Sequence, residues 1–377
     1  MISYGRQSID EDDIKAVVET LKSDWLTTGP KVSEFEEAIA DYVGAGHAIA
    51  VSSGTAALHC AMFALGIEQG DEVIVPSMTF AASANCVTYR GGKPVFADVN
   101  PETLLISHKS IKEKINGRTR AIIAVDYAGQ PCDYDGLRKI SDESNLKFVA
   151  DGCHALGAEY KGRRVGSLAD MTVFSFHPVK HIATGEGGMI VTDNSEYAER
   201  MRLFRNHGIN SDFRQRERQG SWYYEMVDLG YNYRLTDIQS ALGISQLRKL
   251  PHFLETRRKI AAQYDEYFSR VSVVEPLKVN DNVQHAYHLY VVKIDFTSLK
   301  INRTELFKTM RENGIGVNVH YIPVHFHPYY RKTYSTSKGM CPVAEKVYEQ
   351  ILSLPIHPEI SQKDVEKVVS VLLESIK

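Results

Sequence analysis

Residues 171–192 read MTVFSFHPVKHIATGEGGMIVT. Apolar and β-favouring side chains fill 171–176, and His177-Pro178 ends regular pairing, because proline has no N–H to give a ladder. Thr184-Gly185-Glu186-Gly187-Gly188 supplies a flexible turn, and 189–192 is the returning strand. Two strands thus hold Lys180 on the loop between them. An amine so placed can add to an aldehyde, provided its surroundings keep part of it unprotonated. The alternative is a loop lysine pointing into water.

Upstream, short apolar runs alternate with helical patterns. The spacing predicts strands at 47–52, 72–76, 94–99, 120–125 and 146–150, and helices at 8–22, 32–42, 80–89, 107–115 and 134–144. Such alternation implies an α/β fold with a parallel sheet covered by helices. Ligands of these sheets gather at the carboxyl ends of strands, so Ser53 to Ala56, Phe80, Asp151 to His154 and Ser175 to Lys180 are expected to converge.

Each of these has two readings. Ser53-Gly54-Thr55-Ala56 opens an apolar helix; free N–H groups, two hydroxyls and a glycine make a phosphate cup, or Ser53 is a plain cap. Asp151 can hold the proton of a ring nitrogen, or serve as a turn aspartate. His154 contacts a bound ring or is a hydrogen-bonded core histidine. His320, His325 and His327 lie close in sequence but lack a helical His-x-x-x-His spacing, and Pro323 breaks regular geometry. That favours a ligand-facing loop over a metal site.

Downstream, a helix is expected at 195–207, a polar surface loop at 211–220, and a helix after Tyr231-Asn232-Tyr233-Arg234-Leu235-Thr236-Asp237 that Leu250-Pro251 ends. A further helix at 253–268 precedes a second α/β pattern, with strands at 287–294 and 315–320 and helices at 303–312, 343–352 and 362–376. Two units follow, 1–250 and 251–377.

Bulk properties exclude several classes. The 377 residues are 24% charged and 43% hydrophobic, which suits a chain with a substantial core. A formal charge of −3, without a long basic block, argues against nucleic acid as a partner. No apolar run approaches the roughly 20 residues of a bilayer span, and Met-Ile-Ser-Tyr lacks the start of a signal peptide, so no membrane association and a cytoplasmic location are expected. The five cysteines show no Cys-x-x-Cys spacing, which points to reduced side chains.

The spaced set SSGTAAL, PSMTFAASAN, DGCHALGA, FSFHPVKHIATGEGG, GYNYRLTDIQSALG and HYIPVHFHPYY, in this order over nearly the whole chain, resembles the DegT/StrS family of nucleotide-sugar aminotransferases. The resemblance implies an aspartate-aminotransferase-like fold (pyridoxal-phosphate fold type I). That fold has a large domain on a mostly parallel seven-stranded sheet, a smaller α/β C-terminal domain, and a homodimer with shared active sites. It implies pyridoxal 5'-phosphate as cofactor, Lys180 as the lysine joined to its aldehyde and Asp151 as the partner of its pyridine nitrogen. Thr55, Ala56 and Ser175 would hold the phosphate, with Ser53 and Gly54 in the same cup. Phe80 falls where an aromatic ring stacks on the cofactor, and Asn232 where a residue of one subunit reaches the phosphate held by the other. His154 stands where many members carry glutamine.

Within the family, DYAGQPCDYDGL, DGCHALG, FHPVKHIATGEGG and HYIPVH look most like the pseudaminic acid branch. The implied reaction moves the amino group of L-glutamate to the 4-keto carbon of a UDP-linked 4-keto-6-deoxy-N-acetylhexose, giving UDP-4-amino-4,6-dideoxy-N-acetyl-β-L-altrosamine. Tyr4, Asp24, Trp25, Leu26, Thr27, Asn232, His320, Tyr321, Ile322 and Pro323 would line the sugar-nucleotide pocket. Arg234 is an anion binder or a structural ion-pair partner. Other readings are an aminotransferase for another nucleotide-linked 4-keto sugar, of bacillosamine, perosamine or aminoarabinose type, and a non-catalytic sugar-binding or regulatory relative. Lys180 and Asp151 together count against the latter. A nicotinamide oxidoreductase would need the Gly-x-Gly-x-x-Gly that is missing after the first strand.

Overall fold

Every strand expected up to residue 192 enters one sheet. The computed structural model describes residues 1–211, 213–218 and 220–377. In chain order the strands are β1 (His47–Val51), β2 (Glu72–Pro76), β3 (Lys93–Ala97), β4 (Thr119–Val125) and β5 (Lys147–Asp151). A short ribbon, β6 (Glu159–Tyr160) and β7 (Arg163–Arg164), precedes β8 (Met171–Ser175) and β9 (Gly188–Thr192). The seven-stranded sheet has the order β1-β9-β8-β5-β4-β2-β3, and all its pairs are parallel except the two that β9 makes. Strands β2 and β9 are buried at every position, which is why they read as unbroken apolar runs rather than alternating ones.

The helices begin where the sequence offers caps. Asp10 and Asp13 close a capping box on Glu11–Leu21, Ser53 caps Gly54–Ala64, and Gly44 ends Pro30–Val43 at φ +73°. The C-terminal part adds β10 (Val274–Pro276), β11 (Val283–Gln284), β12 (Tyr290–Ile294) and β13 (Ile351–Leu354); β10, β12 and β13 form a three-stranded antiparallel sheet, and β11 joins the β6–β7 ribbon. One buried cluster surrounds the large sheet and takes in Val324, Tyr330, Cys341 and Ile351; a second gathers Ile260, Tyr264, Leu306, Leu352 and Leu372. No helix among the described residues is long and apolar enough to cross a membrane.

Four expectations are corrected. The helix does not stop at Leu250-Pro251: it runs Asp237–Phe268 with Pro251 inside. The proline sits on the exposed side, while buried Leu250, Phe253 and Leu254 clamp the helix on either side of the missing N–H. The segment 315–320 is no strand. It makes only single bridges, Ile2 to Ile315 and Asn318 to Ser353, and Gly316 lies so close that a Cβ there would stand 3.0 Å from the Ile2 carbonyl oxygen. The helix expected at 343–352 ends at Tyr348, because Ile351–Leu354 is taken by pairing with β12. The expected loop at 211–220 contains a helix at Phe213–Arg218; residues 212 and 219 lie outside the described residues.

Strand β9 reaches the site through a glycine. A Cβ on Gly188 would stand 2.4 Å from the Ser53 carbonyl oxygen and 2.7 Å from the Gly54 nitrogen, both backbone atoms that cannot swing aside. Gly188→Ala is therefore expected to lower unfolding stability by about 2–4 kcal/mol, read as a fall in the urea midpoint, whereas Gly185→Ala, in open space, should cost less.

Candidate active site

The parallel strands deliver their carboxyl ends to one edge of the sheet. At the end of β5, Asp151 is buried, accepts a hydrogen bond from Ser83 Oγ at 2.7 Å and one from the Cys153 N–H at 3.2 Å. Ser83 is itself bonded to Thr79 Oγ1 at 2.8 Å. Asp151 is thus both the turn aspartate and a buried carboxylate with fixed orientation. Two residues past β1, Ser53 Oγ accepts from the Ala56 N–H at 3.1 Å, so it is a true cap, and Gly54 and Thr55 occupy the first turn behind it. Ser175, at the end of β8, lies against that turn: a Cβ on Gly54 would be 3.0 Å from Ser175 Cβ and 3.1 Å from Cys153 Sγ. Gly54 thus lets Ser175 and Cys153 pack closely against a helix N-terminus, whose free N–H groups can receive an anion.

Lys180 projects from the loop joining β8 to β9. The base of that loop is closed by Phe176 N–H to the Gly187 carbonyl and Thr184 N–H to the Phe176 carbonyl, both 2.9 Å, and the Lys180 N–H binds the His177 carbonyl at 2.8 Å. Burial pushes the Lys180 amine down; Cys153 and Asp151 pull it back up, and Arg257 adds to the lowering. Its Nζ lies 3.4 Å from His288 Nε2. Around it stand His154, whose ring centroid is 4.3 Å from that of His288, and His181, 5.7 Å from His288. Sequence reasoning missed His288, His181, Ser83 and Arg257 as parts of this cluster. His181 adjoins Lys180 and Ser83 lies one turn past Thr79, but nothing local marks His288, which reaches the cluster only through the fold.

A second wall comes from 320–323 and the N-terminal segment. The Tyr321 hydroxyl is 3.1 Å from His154 Nε2, and its ring is 6.0 Å from that of Phe80, which is exposed. The Tyr4 ring is 5.4 Å from that of His320, whose Nδ1 meets Ser353 Oγ at 2.8 Å. Gly5 lies against Val179, next to Lys180. Ile322 is exposed and Pro323 begins the short turn Val324–Phe326. His325 departs from the ligand-facing loop expected of it: fully buried, it bonds Ser77 Oγ at 2.6 Å and Glu345 Oε1 at 3.0 Å. Among the described residues no three His, Cys, Asp or Glu side chains form a group able to hold a metal.

The remaining residues are placed by the start of the long helix Asp237–Phe268 and by the segment before it. Asp24, Leu26 and Thr27 are exposed at the start of the long helix, where the Leu26 carbonyl accepts from the Asp237 N–H at 3.1 Å and Thr27 bridges Thr236; Trp25 is half-buried there. Asn232 is exposed and its backbone bridges Asn206. Arg234 donates to Asn206 Oδ1 at 2.7 Å and lines a cleft of about 620 Å³ with Thr28, Arg205 and Asn206, away from Lys180.

The DegT/DnrJ/EryC1/StrS aminotransferase family matches residues 7–373. SpsC of Bacillus subtilis (strain 168), described as a spore coat polysaccharide biosynthesis protein, is 39% identical over 378 residues, covering 100% of this chain and 97% of its own. Helicobacter pylori PseC, an aminotransferase involved in the biosynthesis of pseudoaminic acid, superposes with a TM-score of 0.91 at 34% identity, over 100% of this chain and 99% of its own. The PLP-form of Spr1654 from Streptococcus pneumoniae, a putative sugar aminotransferase, gives 0.92 at 32% identity, over 100% of both chains. The chain belongs to the DegT/DnrJ/EryC1/StrS aminotransferase family and is an aminotransferase with that α/β fold.

Burial pushes His285 and His320 down to about 3. Unfolding returns each to the ordinary value near ~6.5, so the unfolded chain binds more protons below that pH. The stability these groups contribute is present above ~6.5 and is lost as pH falls, by about 1.4 kcal/mol per pH unit for each. Urea midpoints measured between neutral and mildly acidic pH should drop steeply, and the drop should flatten in a His285→Gln, His320→Gln double variant.

Proposed function

We propose that this aminotransferase uses pyridoxal 5'-phosphate to move the amino group of L-glutamate to the 4-keto carbon of a UDP-linked 4-keto-6-deoxy-N-acetylhexose, giving UDP-4-amino-4,6-dideoxy-N-acetyl-β-L-altrosamine. The observation that carries this reading is a buried carboxylate at the end of β5 and an amine of lowered proton affinity on the loop that follows the neighbouring parallel strand β8, with a helix N-terminus packed closely at Gly54 beside them. When bound, the cofactor supplies an aldehyde carbon and a ring that accepts electrons from a carbanion. The residues fit such a group at each end.

In this reading Lys180 Nζ is the covalent attachment point and afterwards the base that takes and returns the proton at the amino-acid α-carbon. Asp151, held by Ser83 and the Cys153 N–H, keeps a proton on the ring nitrogen. The first turn of Gly54–Ala64, with the hydroxyls of Ser53, Thr55 and Ser175, seats the phosphate. Phe80 and His154 flank the ring, and Tyr4, His320 and Tyr321 offer the polar groups a sugar requires, with Ile322 and Pro323 as the apolar part of the same rim.

Likeness to PseC supports the choice of sugar. A second reading, another nucleotide-linked 4-keto sugar, is supported by the 39% identity to SpsC, whose description names spore coat polysaccharide rather than pseudoaminic acid. Shared active sites in a homodimer are supported by an exposed apolar run that leads into Asn232, with Trp222 85% and Leu229 71% exposed. A second protomer covering this run would also bring Asn232 and Asp24 to Thr27 to a site they do not reach alone.

Borohydride reduction followed by peptide mapping should find a pyridoxyl group on Lys180. Lys180→Ala should lose that adduct and turnover while staying folded, and an unchanged rate would refute the assignment. Asp151→Asn should retain cofactor and lose more than about a hundredfold in turnover. Product NMR with a panel of UDP-linked 4-keto sugars decides between the two sugar readings.

A further inference from the structure

We propose that His288 is a positioning residue that presents its Nε2–H to the lone pair of the Lys180 amine and so holds that amine neutral and nucleophilic. This rests on Lys180 being the covalent lysine of the reading above. His288 is 4% exposed, and its two nitrogens have opposite surroundings: Nε2 is 3.4 Å from Lys180 Nζ, while Nδ1 is buried without a hydrogen-bond partner.

The ring is held where it is. Its segment is tied to the turn that follows β4 by Ala286 N–H to the Gly129 carbonyl at 2.9 Å and Leu289 N–H to the Ala128 carbonyl at 3.1 Å. From the long helix, Arg257 Nη1 donates to the Tyr287 carbonyl at 3.1 Å. Gly129, at φ +101°, permits the approach, since a Cβ there would stand 2.7 Å from the His154 carbonyl oxygen and 3.0 Å from the His288 nitrogen. His154 and His181 flank the imidazole, and His181 is committed elsewhere, its Nε2 lying 3.0 Å from the Ala286 carbonyl oxygen.

Burial keeps His288 neutral, and Lys180, His154, His181 and Arg257 act in the same direction. A neutral imidazole carries one proton. On Nδ1 it would be a buried N–H with no acceptor; on Nε2 it leaves behind only an unfilled lone pair, the cheaper defect. An Nε2–H can be accepted by the free amine but not by an ammonium, which has no lone pair. His288 therefore joins Arg257 and burial against the pull of Asp151 and Cys153, which favour the charged lysine.

The test is ¹⁵N-histidine NMR of the full-length protein freed of cofactor, with His288 assigned by the signal lost in His288→Gln. The expected spectrum shows Nε2 protonated and Nδ1 bare near neutral pH; protonation on Nδ1, or an imidazolium, overturns the proposal. In parallel, the pH midpoint for acetylation of Lys180, read by peptide mass mapping, should rise by about one pH unit in His288→Phe. An unchanged or lower midpoint overturns it. Neither readout depends on turnover. A missing pyridoxyl adduct on Lys180 would remove the covalent role and leave the imidazole tautomer as found, so the two failures are distinguishable.

Discussion

A half-buried lysine amine near a carboxylate is pulled two ways. Loss of solvation favours the neutral form, while Asp151 and Cys153 favour the ammonium. The architecture serves this balance. Parallel β5 and β8 set Asp151 and the root of the Lys180 loop on the same sheet edge, Ser83 satisfies the carboxylate so that it need not recruit the lysine, and uncharged imidazoles fill the space that water would otherwise take. A full ion pair between Lys180 and Asp151 would hold the amine protonated and so disable it as a nucleophile.

The C-terminal segments are fastened over this edge by polar contacts buried inside the protein. Asp98, just past β3, accepts the N–H groups of Val343 and Ala344 at 2.9 and 2.8 Å, capping the helix Pro342–Tyr348 from the side of the sheet. With Nε2–H donated to Glu345, His325 can accept the Ser77 hydroxyl through Nδ1, so a strand end of the sheet and a C-terminal helix share one satisfied network. The Tyr127 hydroxyl donates to the His320 carbonyl, next to the tyrosine that contacts His154. The wall formed by 320–323 is therefore carried by the sheet.

The large sheet was legible because strands buried on both faces leave dense apolar runs, and β2 stands where the sequence places it. Asp151 was legible because it follows such a run directly, and Lys180 because it lies on the loop between two of them. The failures share a cause: local signals were overruled by partners distant in sequence. Pro251 marks a break that packing on both sides suppresses, the alternation at 315–320 is spent on single contacts with Ile2 and Ser353, and 351–354 leaves its helix to complete a sheet with β12. His288 had no local signature, because its place beside Lys180 is set by hydrogen bonds to Ala128 and Gly129 more than 150 residues earlier. Asn232, Asp24, Leu26 and Thr27 are exposed and Trp25 is half-buried, so neither periodicity nor the packing of the chain assigns them to a pocket.

The loop that carries Lys180 is pinched shut at its root, where Phe176 bonds Gly187 and Ser175 pairs with Gly188. The lysine thus sits on a short leash: its backbone is tied at the loop root and to the His177 carbonyl, and in the proposed reading whatever reach the amine needs during a cycle comes mainly from rotation about its own four-carbon stem. Reactants have to be brought to it, which places the demand for mobility on the incoming molecules and on the rim that admits them, and leaves the nitrogen a fixed station past which they move.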